Sequence, residues 1–325
     1  MSPKSKQTSE LPEPTKLKRY RMKKVMLIFN PQSGEARKDV ATLEQTIALL
    51  IDYRFEPDVL LLRKGVDLAA GLKKGLAKGI DLFIACGGDG TSSAVARELV
   101  GSNATLGIIP NGTQNNSPIA FEIPLDLEGA VRVLREGRKL KVDMGEMSVG
   151  GKSTYFVEAC SVGLASALFP TADDIQHGHF LKLAEFLKIA ARETASEFEI
   201  ELDTKDQPII STGHVLLAVN VPVIGAHFRM GKRSAMQDGK LDIVFFEDAS
   251  KLELLFYMLQ GLNNELPNAR KIKHMLAETV HVKTNPKMSL MYDGEPFGEG
   301  DVKIGIVKHA LTVMIPKKSR IQQAG

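Results

Sequence analysis

Gly87-Gly88-Asp89-Gly90-Thr91 places flexible backbone, a carboxylate and a hydroxyl side by side. The run Ile80 to Cys86 before it is short and apolar, as a buried parallel strand requires. After it, Ala94, Val95, Ala96 and Leu99 fall on one helical face. A strand that breaks at paired glycines and re-enters a helix presents free N–H groups at the positive helix end. Glycines allow an anion to approach that backbone closely, and phosphate is the usual guest. Asp89 stands where a carboxylate can meet a metal or a hydroxyl beside phosphate, which points to phosphoryl transfer. The plain alternative is a tight strand-to-helix turn with a solvated Asp. Two other loops, Asn30 to Gly34 and Asn111 to Asn116, carry similar residue types. Farther on, Asp238 and Asp293 each precede a glycine, and either alone reads equally well as an ordinary hairpin turn.

The elements that must position these loops alternate. Val25 to Phe29, Pro57 to Leu62, Ile80 to Cys86 and Thr105 to Ile109 read as strands. Helical spacing separates them through Val40, Leu43, Ile47 and Leu50, around Asp67 to Ala77, and after Thr91. The order βαβαβαβ predicts a parallel sheet covered on both faces. Ligands of such sheets lie at the C-terminal strand ends, where all three loops begin, so one shared crevice is expected. After about Asp143 strand-like pieces recur at Thr154 to Cys160, Phe198 to Leu202, His214 to Val221, Leu241 to Phe246, Thr279 to Lys283, Ser289 to Tyr292 and Leu311 to Ile315. Turn residues between them favour an antiparallel sandwich or barrel. Two helical stretches interrupt it, His179 to Arg192 and Lys251 to Gly261. The first reads as core or as a lipid-facing flap.

The 325 residues suffice for one large or two modest domains, and 43% hydrophobic with 25% charged content is that of a soluble globular chain. Much of the net charge of +3 sits in Lys16, Lys18, Arg19, Arg21, Lys23 and Lys24, behind a polar, Pro-containing segment that reads as disordered. Those cations could draw the chain to anionic lipid or simply form a solvated linker. Cys86 and Cys160 lie in apolar surroundings without ligand spacing, as buried thiols of a reducing compartment would. No apolar run is long enough to span a bilayer, and no secretory signal follows the basic residues. The expectation is a cytoplasmic protein, with peripheral contact at the inner membrane face left open, no nucleic-acid partner, and a homodimer left open.

Taken together, these pieces resemble the diacylglycerol kinase catalytic family, in particular the bacterial soluble lipid kinases. Asn30-Pro31-Gln32-Ser33-Gly34 looks like the first nucleotide loop, Gly87 to Thr91 like the central phosphate loop, and Gly112-Thr113-Gln114-Asn115 like the third. Phe156 to Gly163 resembles the first strand of the second domain, Ala235 to Asp242 the DGxLD turn, and Asp293-Gly294-Glu295-Pro296 the late acidic motif. The resemblance implies an α/β nucleotide domain over 25–143 plus 308–317, related to those of NAD kinases and phosphofructokinases. It implies an antiparallel β-sandwich for the lipid over 144–307, after a basic tail over 1–24. It also implies ATP contacts at Asn30, Ser33, Gly34, Gly87, Gly88, Asp89, Gly90, Thr91, Ser92, Ser93 and Thr113. By the same resemblance Mg²⁺ sits at Asp238 with carbonyls near Ala235 and Lys240. Catalytic carboxylates are expected at Asp89, Asp293 and Glu295, with Glu295 favoured as proton acceptor.

Departures from the pattern are visible. Many members carry Asp where this chain has Asn116, which keeps hydrogen bonding but loses a negative charge. Leu62-Arg63-Lys64-Gly65 stands where a nucleotide-contacting Thr is common, and Gly225-Ala226-His227 replaces a glycine-richer stretch. The expected activity is phosphorylation of a diacylglycerol-like lipid at a membrane surface. A kinase for long-chain bases or another lipid alcohol, and a catalytically silent nucleotide- or lipid-binding regulator, stand as alternatives.

Overall fold

A computed structural model describes residues 21–34, 41–163, 194–221, 223–224, 228–229, 235–250, 252–254, 256–257 and 270–321. The stretches His179 to Arg192 and Gly225-Ala226-His227, most of Lys251 to Gly261, and the segment before Arg21 lie outside these residues.

The first half alternates as its apolar pattern demands. Strands β1 (Lys23–Phe29), β2 (Phe55–Leu61), β3 (Leu82–Gly87) and β4 (Thr105–Pro110) are linked by helices α1 (Leu43–Asp52), α2 (Leu68–Ala77) and α3 (Asp89–Leu99). β1 lies between β2 and β3, β3 pairs with β4, and every pair is parallel. All six residues of β3 and of β4 are buried, because helices cover both faces of a parallel sheet. Local chemistry sets the helix starts: Thr42 and Gln45 form a capping box, and the Asp67 carboxylate accepts from the Ala70 N–H.

Two further helices follow, α4 (Asn116–Ala120) and α5 (Leu127–Glu136), the latter capped by Asp126 and packed through Ala130, Val131, Val133 and Leu134. The second half is antiparallel. It contains β5 (Arg138–Val149), β6 (Lys152–Phe156), β7 (Ala159–Gly163), β8 (Ser196–Leu202), β9 (Ile209–Val219) and a short ribbon of β10 (Val223–Ile224) with β11 (Phe228–Arg229). It continues with β12 (Leu241–Glu247), β13 (Ile272–Ala277), β14 (Thr279–Asn285), β15 (Ser289–Tyr292), β16 (Glu295–Glu299) and β17 (Val302–Ile315).

The two halves are joined by strands, not by a linker. β17 pairs with β14 through Val302 to Gly305, runs antiparallel along β5, and reaches β4 in parallel at Thr312 and Val313. The expected domain limits near 143 and 308 therefore fall inside β5 and β17, where the register shifts between Val307 and Leu311 and His309 adopts φ +54°. On β9 and β12 successive side chains turn to opposite faces, and both faces are covered. Val215, Leu217, Val219, Val244 and Phe246 join the core shared with the first half, whereas Leu216, Ala218, Ile243 and Phe245 fill the interior of the antiparallel half.

One expected element is corrected. Thr154 to Cys160 is not a single strand: it divides into β6 and β7, with Val157 and Glu158 between them. The run is interrupted by Glu158, and a carboxylate from a distant turn captures the backbone N–H groups at the break.

Candidate active site

The three glycine- and asparagine-bearing loops meet. Asn30, at the end of β1, donates its N–H to the Cys86 carbonyl at 3.0 Å and its Nδ2 to Thr91 Oγ1 at 2.9 Å. The Gly88 N–H donates to Ser33 Oγ at 3.3 Å, and the Asn111 N–H donates to the Gly87 carbonyl at 2.9 Å. Gly88 and Gly112 touch backbone to backbone: a Cβ on Gly112 would lie 2.3 Å from the Gly88 Cα. Only glycine fits there, so this pair of loops closes tightly over the end of the sheet. Gly34 is buried at φ +75°, whereas Gly90 and Thr113 face solvent at the loop surfaces. The Ser92 hydroxyl is buried in the first turn of α3 without a hydrogen-bond partner.

The third loop is shaped by its own asparagine. Asn115 adopts the left-handed conformation, φ +56°, and its side chain both accepts from the Gly112 N–H and donates to the Gly112 carbonyl. This turn starts α4 so that its first N–H groups face Asp89. Asp89 Oδ1 accepts from the Ser117 N–H at 3.0 Å. Burial pushes the Asp89 carboxyl above its usual range, and the N–H groups of Ser117, Asn116 and Asn115 partly offset that push.

Two carboxylates from the antiparallel half stand in the same field. Asp293, in the turn between β15 and β16 at φ +43°, accepts from the N–H groups of Val157 (2.8 Å), Glu158 (2.8 Å) and Ala159 (3.2 Å). Its carboxyl is raised by burial, against those N–H groups and the neighbouring Ser93 hydroxyl. Glu158, only 7% exposed, points the other way: its carboxylate accepts from Ser117 Oγ at 2.7 Å and from Asn116 Nδ2 at 3.4 Å. Burial first, then the charges of Asp89 and Asp293, hold the Glu158 carboxyl well above the ordinary range. Three carboxylates from three separate segments are thus electrostatically linked.

Glu295 is engaged differently. Its carboxylate accepts from Arg97 Nη2 on α3 at 3.0 Å and from the Tyr292 hydroxyl at 3.1 Å, and the Arg97 guanidinium lies over the Tyr292 ring. This contact ties the late acidic motif to the helix that leaves the central loop.

The Asp238 turn is built from other partners. Ala235–Gln237 forms a single 3-10 turn, and the Lys240 N–H closes back on Asp238 Oδ1 at 3.0 Å. Asp143 of β5 accepts from the N–H groups of Gly239 (2.8 Å) and His309 (2.7 Å), which fixes the turn against the bend in β17. Asn220 connects this corner to the carboxylate group, donating to the carbonyls of Asp143 (3.0 Å) and Val157 (2.8 Å). Burial, with Asp238 nearby, pushes the Asp242 carboxyl up to about 6.

Among the described residues no three His, Cys, Asp or Glu side chains are grouped to ligate one ion. The donors at hand are all oxygen: the exposed Asp238 carboxylate with turn carbonyls, and Asp89 beside the loops. One carboxylate completed by carbonyls, phosphate oxygens and water is the usual manner of holding Mg²⁺, so these residues fit it.

Of the carboxylates expected from the sequence, Asp89 and Asp293 both stand in the field of Glu158, whereas Glu295 pairs with Arg97 in the last turn of α3. Sequence reasoning did not single out Glu158, Arg97 or Ser117. The signal for Glu158 was a lone charge inside the apolar run Phe156 to Cys160.

Comparisons with known proteins agree over most of the chain. Residues 24–147 match the model of the diacylglycerol kinase catalytic domain, and residues 161–315 match the YegS C-terminal NAD kinase beta sandwich-like domain. A diacylglycerol kinase of Bacillus subtilis (strain 168) is 26% identical over 310 residues, spanning 92% of this chain and 98% of that protein. One from Staphylococcus saprophyticus is 26% identical over 282 residues, spanning 85% and 90%. The crystal structure of a diacylglycerol kinase from Bacillus anthracis str. Sterne superposes with a TM-score of 0.69 at 18% identity, covering 91% of this chain and 98% of that one, which establishes the shared fold. Among the described residues no helix is long and apolar enough to cross a membrane.

Proposed function

With both halves matched, the chain belongs to the diacylglycerol kinase catalytic-domain family, and we propose that it transfers the γ-phosphate of ATP to the hydroxyl of a diacylglycerol-like lipid with the help of Mg²⁺. The observation that carries this reading is the meeting of three loops at the C-terminal ends of β1, β3 and β4, with acidic side chains of the other half facing them. Phosphoryl transfer asks for positioning and charge neutralisation more than for covalent help.

Each group then has a task. The start of α3, where no side chain caps the helix, and the Ser92 hydroxyl, unpartnered among the described residues, bind phosphate oxygens. The bonds Asn30 to Thr91 and Gly88 to Ser33 hold the first two loops at fixed separation. Asp238 with the carbonyls of its turn would hold Mg²⁺, which would supply charge neutralisation, while Asp89 would orient the nucleotide beside the central loop. Glu295 accepts the lipid hydroxyl proton, and to do so it must exchange the Arg97 guanidinium for the substrate. Arg97 is then free to face the transferred phosphate.

Purified protein with labelled ATP, Mg²⁺ and micelles of diacylglycerol, long-chain bases and other lipid alcohols tests the reading. Labelled phosphatidic acid is the expected product; a different labelled lipid would reassign the substrate, and no labelled lipid despite nucleotide binding would overturn the kinase. The resting pair of Arg97 with Glu295 favours, as a second reading, a silent nucleotide-binding regulator. Asp89→Asn separates the two: a kinase loses turnover on the order of 100-fold while remaining folded, and a regulator keeps its partner binding.

A further inference from the structure

Glu158 is not accounted for by the reaction just described. It is nearly inaccessible, so it does not meet substrate, yet a buried carboxylate beside two others is costly unless its position demands one. Its partners show what that demand is. Ser117 and Asn116, the first residues of α4, both present donors to it, one a hydroxyl and one an amide. The N–H of the same Ser117 donates to Asp89 in the central loop. On its other side, the Glu158 backbone N–H is held by the Asp293 carboxylate, together with those of Val157 and Ala159. An unbroken series of hydrogen bonds therefore runs from the late Asp-Gly turn, through the break between β6 and β7, to the third loop and Asp89.

The residue at 116 makes sense in this setting. An amide can donate to Glu158, whereas a carboxylate there would add a fourth acidic group to the field of Asp89, Glu158 and Asp293. The Asn116 Oδ1 is buried without a partner among the described residues, so it is the donor of Asn116 that the contact uses.

We propose that Glu158 is a positioning residue that locks the start of α4, and through it Asp89, to the antiparallel half of the molecule, and that Asn116 and Glu158 form a complementary pair across that contact. The effect on turnover rests on the kinase reading; the lock itself does not.

Three variants of the full chain test it, Glu158→Ala, Asn116→Asp and the double variant N116D/E158Q, which moves the carboxylate across the contact and restores a donor opposite it. Hydrogen exchange of residues 112–121 without any ligand is the first readout. Glu158→Ala and Asn116→Asp are expected to speed exchange of the amides at 115–117 about tenfold or more, and the double variant to recover most of the protection. Steady-state kinetics is the second: kcat is expected to fall by on the order of 100-fold in both single variants, with the KM for ATP moving less, and to recover in the double variant. Wild-type protection in Glu158→Ala, or a double variant no better than Asn116→Asp, overturns the proposal. A wild-type protein inactive on every lipid would sink the kinase while the exchange data still decide the lock.

Discussion

Within the antiparallel half the dipeptide Asp-Gly stands at 238–239 and at 293–294, in both cases in a turn with glycine at positive φ, +68° and +81°. The two carboxylates do opposite things. Asp238 accepts from its own turn, at Lys240, and stays at the surface, while Asp143 from another strand takes the Gly239 N–H. Asp293 reaches out of its turn to three consecutive N–H groups of a strand break more than 130 positions earlier and stands in the field of Glu158 and Asp89. The first is a surface turn whose carboxylate closes on its own N–H groups. The second is a structural clasp at the break where Glu158 sits. Identical local chemistry thus produces an exposed turn carboxylate in one place and a buried anchor in the other.

Replacing each aspartate measures that difference. Asp293→Ala leaves three backbone donors without an acceptor and is expected to cost about 2–4 kcal/mol in urea unfolding; a change below that of Asp238→Ala would erase the contrast. The environment of the other turn is sharpened by Asp242→Asn. The Asp242 carboxyl titrates at about 6 in the fold against 3.8 unperturbed, so the folded state binds its proton more tightly. Stability from this group is complete below the unperturbed value and is lost as pH rises through about 6. Thermal melts in EDTA should show the wild type losing stability over that window and Asp242→Asn losing less; parallel profiles would refute the assignment. Asp238→Ala, which removes one exposed turn bond, should change stability by under about 1 kcal/mol. A larger loss would mean that Asp238 braces the fold rather than standing ready for a ligand.

Much of the architecture was legible because local rules sufficed. Continuous apolar runs bounded by Asn30-Pro31 and Gly87-Gly88 could only be buried parallel strands, and their loops had to leave the same sheet edge. Helical spacing through Leu43, Ile47 and Leu50 and around Asp67 to Ala77 marked two helices, whose starts Thr42 and Asp67 cap. Other elements did not announce themselves. β5 begins at Arg138, before the change of pattern near Asp143, and its pairing with β17 joins residues more than 150 positions apart, which no local window contains. The same limit made Thr154 to Cys160 look like one strand.

From its order of residues alone, the chain decided where phosphate-like loops occur and that they share the C-terminal edge of a parallel sheet, since backbone freedom, apolar periodicity and capping act within a few positions. Which carboxylates stand together was decided only by tertiary structure. Burial and mutual charge give Asp89, Glu158 and Asp293 their properties, and those forces depend on distances between segments that the sequence leaves far apart.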